Sequence, residues 1–402
     1  MNSPLSQNCR AREMDNVLLS LASLRTKPMR ESVPNEVKYA VRSERCAHGT
    51  LVSLWFKTEG CCYDDSGGCV MCDYGGARSH VSGDEMVDYV RSALGVVPRQ
   101  PDLSLFVSPA GSMLDENEVP PFALEAILRA IKEVAPAVFF CETRCETITK
   151  SALQRLARNL SGPRIFVEMG LESSSELVLR YCLNKGLSRR TFVYAVRALK
   201  TCGIGTIANL LLGSPFLSCY EAIEDCAKSA RWALSRGSDE CVIFPVHVKR
   251  GTLVEWLWRR GMYSPPSLWS LVAVLNDLGP TLAPRVTISW HKTYKVKTNC
   301  GELDPLTDLG YLASPGTCPT CQGKVIGLLD TFRDTNDFAV VRELMRVHCP
   351  CREEWTAEAD ADRPGPLHDR IESSYCRIGK ELLGWQWWQK YERRVLSMLA
   401  HV

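Results

Sequence analysis

The sequence predicts an α/β fold built on a parallel sheet, followed by a smaller cysteine-rich region. Three observations carry this. Short, continuous apolar runs alternate with amphipathic stretches of helical length, the grammar of parallel strands joined by crossover helices. The chain has 402 residues, 45% of them hydrophobic, which is enough for one large core and a smaller one. Its 27 Gly and 22 Pro are ordinary, so fibrous, collagen-like and wholly disordered classes are excluded. The strand–helix units number six, too few for a closed eight-fold barrel. An open sheet and a curved partial barrel both fit. No GxGxxG follows the first strand, which argues against a dinucleotide fold.

Taken in order, residues 1–45 are polar and mixed in charge, an extension with one short amphipathic helix near Val17–Leu24. LVSLWFK (51–57) is the first strand and runs into a glycine- and cysteine-rich loop, Gly60 to Gly76. The next strands are SLFVS (104–108), AVFFC (137–141), RIFVEM (164–169), GTIANLLLG (205–213) and ECVIFPV (240–246). Helices are expected near 84–95, 121–134, 149–158, 190–201 and 219–235. In the second of these, Leu124, Ile127, Leu128, Ile131 and Val134 form one stripe at helical spacing. After Trp258 the pattern shifts. Residues 286–355 read as short, broken segments holding five cysteines, a small domain that needs a metal to fold. Residues 356–370 read as a linker, and Ile371–Leu399 as an amphipathic tail with Trp385, Trp387 and Trp388 as packing anchors. The expected division is 1–45 extension, 46–285 barrel, 286–370 cysteine-rich zinc domain and 371–402 C-terminal helix.

Lys plus Arg total 48 and Asp plus Glu 46, so the formal charge of +2 gives no global pull toward nucleic acid or membrane. No apolar run reaches eighteen residues, and MNSPLSQNCRAREMD lacks a secretory core, so a cytoplasmic location without a membrane partner is expected. In that reducing compartment 19 cysteines point to metal or iron–sulfur chemistry rather than disulfides.

The key segment is KTEGCCYDDSGGCVMCDYGG, residues 57–76. Cys69 and Cys72 form a chelating pair, and a third thiolate comes from Cys61 or Cys62. Gly60, Gly67 and Gly68 let the backbone turn tightly there. The loop follows the first strand, at the edge where parallel α/β folds place their chemistry.

This loop resembles that of the radical S-adenosylmethionine (SAM) superfamily, in which three cysteines hold a 4Fe–4S cluster and SAM chelates its fourth iron. The spacing, ending in GGCxMCxY, is similar to the radical SAM subunit of archaeosine synthase and, more distantly, to the Elongator catalytic subunit. SPAGSMLDENEVP (108–120), CETR (141–144), VEMGLES (167–173), NKG (184–186), LLLGSPFLSCYEAIED (210–225) and FPVHVKRGTLVEWLWRRGMYSPPSLWS (244–270) resemble the same subgroup in order. The resemblance favours a partial (β/α)6 TIM-like barrel. It implies Cys61, Cys69 and Cys72 as cluster ligands, with Cys62 a spare neighbour. It implies Gly111, Ser112, Glu172, Ser173, Lys185, Pro245 and Tyr74 as SAM-facing positions. It also implies reductive cleavage of SAM to a 5′-deoxyadenosyl radical, fed by an external one-electron reductant of flavodoxin or ferredoxin type.

A second set, Cys318, Cys321, Cys349 and Cys351, forms two chelating pairs suited to one zinc, with Cys300 and His348 as alternates and an auxiliary cluster as the competing occupant. The near-zero charge favours a small polar substrate, a nucleoside or amino-acid conjugate, roofed by His247, Arg250, His291 and Lys292. The alternative is a tRNA-modifying lyase like archaeosine synthase, which cleaves a C–N bond in a lysine adduct of a deazaguanine. Lys292 to Lys297 and Lys249–Arg250 are the local basic patches.

Overall fold

The computed structural model describes residues 36–399 except 47–48, 67, 75–79, 305, 307 and 362–363. The helix expected near Val17–Leu24 lies outside the described residues. The strands are β1 (Tyr39–Cys46), β2 (Gly49–Phe56), β3 (Leu103–Pro109), β4 (Val138–Thr143), β5 (Arg164–Glu172), β6 (Gly205–Leu212), β7 (Glu240–Pro245), β8 (Val248–Lys249), β9 (Val286–Ile288), β10 (Val296–Thr298), β11 (Gly301–Leu303) and β12 (Tyr311–Ala313). The helices are α1 (Gly83–Leu94), α2 (Pro121–Val134), α3 (Lys150–Asn159), α4 (Arg189–Thr201), α5 (Cys219–Ser235), α6 (Leu253–Arg259), α7 (Leu268–Leu282), α8 (Pro319–Thr335), α9 (Phe338–Leu344), α10 (Pro350–Ala361), α11 (Leu367–Ile378) and α12 (Trp385–Leu399).

One ten-stranded sheet runs in the order β11-β10-β1-β2-β3-β4-β5-β6-β7-β9, and β8 pairs separately with β12. From β2 to β7 and on to β9 neighbouring strands are parallel, while β1, β10 and β11 add an antiparallel margin. This is the expected partial barrel. Its strands read as continuous apolar runs because both faces are covered: all seven residues of β3 are buried. One face carries Leu105, Val107, Phe139, Val167, Met169, Ala208 and Leu210 into the core shared with the helices. The alternate face carries Phe106, Val138, Phe140, Ile207 and Val242 into a separate cluster inside the barrel. Capping boxes start α1 at Ser82 with Glu85 and α5 at Ser218 with Glu221, which fixes where those strand–helix loops end.

The sheet crosses both boundaries expected around the barrel. Within the expected extension, Tyr39–Cys46 pairs along its length with β2. Beyond residue 285, β9 pairs with β7 and β10 with β1. Strands of three residues carry too little pattern to be read from sequence. Residues 319–361, expected as broken segments and the start of a linker, form α8 to α10. Val325, Leu329 and Phe332 of α8 are fully buried at helical spacing, in a helix whose Gly323 and Gly327 weaken its sequence signal. The tail is two helices, with Gly384 at φ 90° just before α12. Trp388 is buried and Trp387 half-buried, but Trp385 is 56% exposed and anchors nothing in the barrel.

Candidate functional site

The cysteine loop leaves the C-terminal end of β2 and lies across the mouth of the barrel. The Cys61 amide donates to the Tyr74 carbonyl, closing the loop on itself. Tyr63 donates to the Asn184 carbonyl at 2.8 Å, the Asn184 amide donates to the Gly68 carbonyl at 2.8 Å, and Val70 N–H donates to the Leu183 carbonyl. The segment carrying Lys185 is thereby fastened to the loop. Gly60 (φ 98°) and Gly68 (φ 62°) occupy the left-handed region, and a Cβ on Gly68 would fall 2.4 Å from the Asp64 carboxylate. Gly67 lies outside the described residues.

Cys61, Cys69 and Cys72 lie near enough to act on one another's charge. Cys61 is pushed up to about 12 by burial, with Glu118 and Cys69 adding and Arg144 opposing. Cys72 is pushed up by burial, then by Cys69 and Asp73. Cys61, Cys69 and Cys72 do not close to within 4.8 Å of one another as a set. Three cations neighbour them, Arg144 and Lys185 buried and Lys249 half-buried. Burial pulls the Lys185 ammonium down, but Glu172 and Cys69 more than offset this. Arg144 is held charged by Glu146, Cys69 and Cys61, and Lys249 by Asp73, Tyr311, Tyr74 and Cys72, both against the cost of burial. Arg144 and Lys249 lower the cost of a negative charge at Cys61 and Cys72, but burial outweighs them and both thiols stay raised. Cys62 turns away: its Sγ lies 2.9 Å from Asp115 Oδ2, and Cys62, Asp115 and Glu118 form their own cluster.

The other expected SAM-facing positions divide. Glu118, raised to about 7 by burial, accepts from the Cys62 amide at 2.9 Å and the Ser112 amide at 2.5 Å. A Cβ on Gly111 would lie 2.0 Å from Glu118, so a side chain there would displace that carboxylate. The Ser112 hydroxyl accepts from the Arg144 amide, and the Arg144 guanidinium stacks 4.1 Å from the Tyr63 ring and donates to the Lys185 carbonyl. Glu172 is held at φ 65° and pairs with Lys185 at 2.6 Å, both buried. Tyr74 lies under Lys249, whose ammonium pairs with Asp73 at 2.8 Å. Pro245 ends β7 opposite Leu212. Ser173 is fully buried and donates to Asp225 at 2.8 Å, a tie to α5 rather than a group open to a ligand.

The expected roof of cations is not assembled. His247 donates from Nε2 to the Trp290 carbonyl at 2.6 Å and accepts at Nδ1 from Ser314 at 2.9 Å; burial lowers it to about 4, so it is neutral and fully engaged. His291, fully buried, bonds Asp330 through Nε2 and Tyr294 through Nδ1. Lys292 takes the other Asp330 oxygen at 2.5 Å. Both clamp the turn after β9 to α8. Arg250 is exposed, and its backbone N–H serves Gly310. From this segment the cation that reaches the loop is Lys249, one residue earlier, beside the Arg144 and Lys185 already described. Sequence reasoning also passed over Arg144, Asp115 and Glu118 as site residues; polar residues ending CETR at a strand terminus were the available signal.

The second cysteine set is compact. Cys318 caps the start of α8, Cys321 lies in its first turn, and Cys349 and Cys351 flank Pro350 at the start of α10. Their Sγ atoms lie 3.4 to 3.7 Å apart along four edges. Trp269 donates its indole N–H to Cys351 Sγ at 3.4 Å. The alternate Cys300 is exposed and bonds the Glu36 carbonyl instead, and His348 is outside the set. The cluster is able to bind a metal.

No protein-family model matches the sequence. The chain is 31% identical over 311 residues to archaeosine synthase subunit beta of Methanosarcina acetivorans, an alignment covering 76% of this chain and 83% of that protein. It is 28% identical over 313 residues to archaeosine synthase subunit beta of Thermococcus kodakarensis, covering 76% and 91%. Among solved structures it is similar to the Elp3 of Methanocaldococcus infernus, with 18% identity, a TM-score of 0.40, and 51% of this chain and 52% of that one covered. The chain belongs to the archaeosine synthase subunit beta family, within the radical SAM superfamily of enzymes.

Proposed function

We propose that this radical SAM enzyme acts on a modified nucleoside carried in tRNA, as an archaeosine-synthase-type lyase. The observation that carries this reading is the 31% identity spanning 83% of an archaeosine synthase subunit beta, which outweighs the small formal charge that favours a free metabolite. In this reading Cys61, Cys69 and Cys72 hold a 4Fe–4S cluster as thiolates. Their wide set and three neighbouring cations suit a cluster with one iron left for SAM. When bound, cluster and SAM supply one-electron chemistry able to take a hydrogen atom from an unactivated carbon, given an external flavodoxin- or ferredoxin-like reductant.

The chain's own residues bind and orient. Glu118, which also holds the Ser112 amide, meets the loop at the Cys62 amide on one side, and Lys185, paired with Glu172, follows the Asn184 that bonds the loop on the other. Arg144, stacked on Tyr63 and bonded to the Lys185 carbonyl, holds these two sides at a fixed separation. The compact cysteine set is proposed as a structural zinc site. A tetrahedral ion with Zn–S near 2.3 Å needs sulfur edges of about 3.8 Å, close to those present, whereas a cubane needs far wider ones.

The test is affinity for mixed tRNA across a salt series with the reconstituted full chain. Micromolar or tighter binding with a steep salt slope is expected. Undetectable binding, together with substrate-dependent SAM loss in a metabolite extract, returns the reading to a small-molecule enzyme.

A further inference from the structure

Inside the barrel, below the cysteine loop, three polar side chains stand on adjacent strands. Glu142 of β4 and Glu168 of β5 are direct partners in register, and Asn209 of β6 stands opposite Gly170, two residues beyond the partner of Glu168. All three fall on the face that carries Phe140, Phe166 and Ile207 into the barrel interior. Both carboxylates are half-buried although they lie deep in the protein, so their exposure is to the barrel interior and not to the outer surface.

Every group here except one is an acceptor. Asn209 is 4% exposed; its Nδ2 points at Glu142 Oε1 at 3.4 Å, and its Oδ1 is buried with no hydrogen-bond partner. Among the described residues, neither Glu142 nor Glu168 forms an ion pair. The nearby cations are committed elsewhere, Lys185 to Glu172, Lys249 to Asp73 and Arg144 to Glu146. Burial raises Glu142 to about 7 despite the opposing charge of Lys185, and burial together with the neighbouring Glu142 raises Glu168 to about 8. A native fold leaves few buried acceptors unmet, and those it leaves call for an explanation.

We infer that Glu142, Glu168 and Asn209 form a receptor for a protonated amine of the substrate, with the two carboxylates and the Asn209 Oδ1 each accepting one of its N–H bonds. A primary ammonium offers three donors on one point charge, matching three converging acceptors. An anionic group is repelled by the same arrangement. The aromatic floor of Phe106, Phe140 and Phe166 suits the methylene chain such an amine carries. This inference rests on the proposal that the barrel mouth is where the radical chemistry occurs.

The probes are n-butylammonium and its neutral counterpart n-butanol, titrated calorimetrically into the reconstituted full chain. Butylammonium is expected to bind at least about 10-fold tighter than butanol, and Glu168→Gln and Asn209→Leu each to weaken it about 10-fold. Asn209→Asp, which keeps shape and adds a negative acceptor, is expected to tighten it, so a variant that merely misfolds is told apart. Equal or undetectable binding of the two probes overturns the inference, as does an affinity unmoved by Glu168→Gln. Substrate-free SAM cleavage by the wild-type chain judges the radical SAM reading separately. Cleavage without amine preference sinks only the receptor, and amine preference without cleavage sinks only that reading.

Discussion

The chain carries two cysteine sites that differ in geometry more than in composition. The set at α8 and α10 is closed: four sulfurs, edges of 3.4 to 3.7 Å, an indole N–H on one sulfur, and helix starts on two sides. The set on the β2 loop is open: three sulfurs, no mutual closure to 4.8 Å, and a ring of Arg144, Lys185 and Lys249. A closed tetrahedron leaves no position for a reactant, while three ligands on a larger group leave one. Position sharpens the contrast. The open set lies where parallel strands end; the closed set ties α8 and α10 to α7 through Trp269. Thiols alone do not announce chemistry; their separation and the charges around them do.

The comparison predicts separable losses. Cys69→Ala should lower SAM cleavage by more than about 100-fold, beyond what loss of a supporting partner costs, while zinc content stays unchanged. Elemental analysis beside a 5′-deoxyadenosine assay checks both. Cys321→Ala should do the converse, releasing zinc and costing more than about 4 kcal/mol in denaturant unfolding, because metal binding there is part of folding. A variant that loses zinc yet unfolds at the wild-type midpoint would show the site is not structural. Lys185→Met strands Glu172 in a buried position and should cost about 3–5 kcal/mol, much of it recovered by also changing Glu172→Leu.

His247 joins the segment after β7 to Ser314, four residues before Cys318. Its folded value of about 4 lies below the unfolded value near 6.5, so the unfolded chain binds the extra proton between them. Stability should therefore fall as pH drops from 6.5 toward 4, by roughly 3 kcal/mol in all, and His247→Gln should flatten that slope in pH-dependent unfolding curves. The smallest effect is expected at Cys62→Ala, which removes one S–H···O bond to Asp115 for about 1 kcal/mol and leaves iron and SAM cleavage in place. Iron lost with Cys62 would shift the first ligand by one residue.

The barrel strands were legible because both their faces are apolar, as in the fully buried SLFVSP. β1 was not, because YAVRSERC places Arg42 and Glu44 in pairing positions that read as solvent. In the fold Arg42 is 9% exposed, bonds Glu44 at 2.7 Å and stacks on Tyr294, while Glu44 also meets Arg333. The open site was legible through its glycines and cysteine spacing, which are local. Arg144, Lys249 and Glu118 were not, since their role comes from convergence of three loops. The histidines misled for the same reason: Asp330, which holds His291 and Lys292, lies 39 and 38 residues away in sequence.

The most direct test is metal and product analysis of the full chain reconstituted anaerobically, with dithionite and SAM, beside the Cys61→Ala/Cys69→Ala/Cys72→Ala triple variant. The account predicts about four irons and one zinc per wild-type chain, with methionine and 5′-deoxyadenosine released. In the triple variant the iron and both products should vanish while the zinc remains. Continued SAM cleavage by that variant, or a wild-type chain with twice the iron and no zinc, would contradict it.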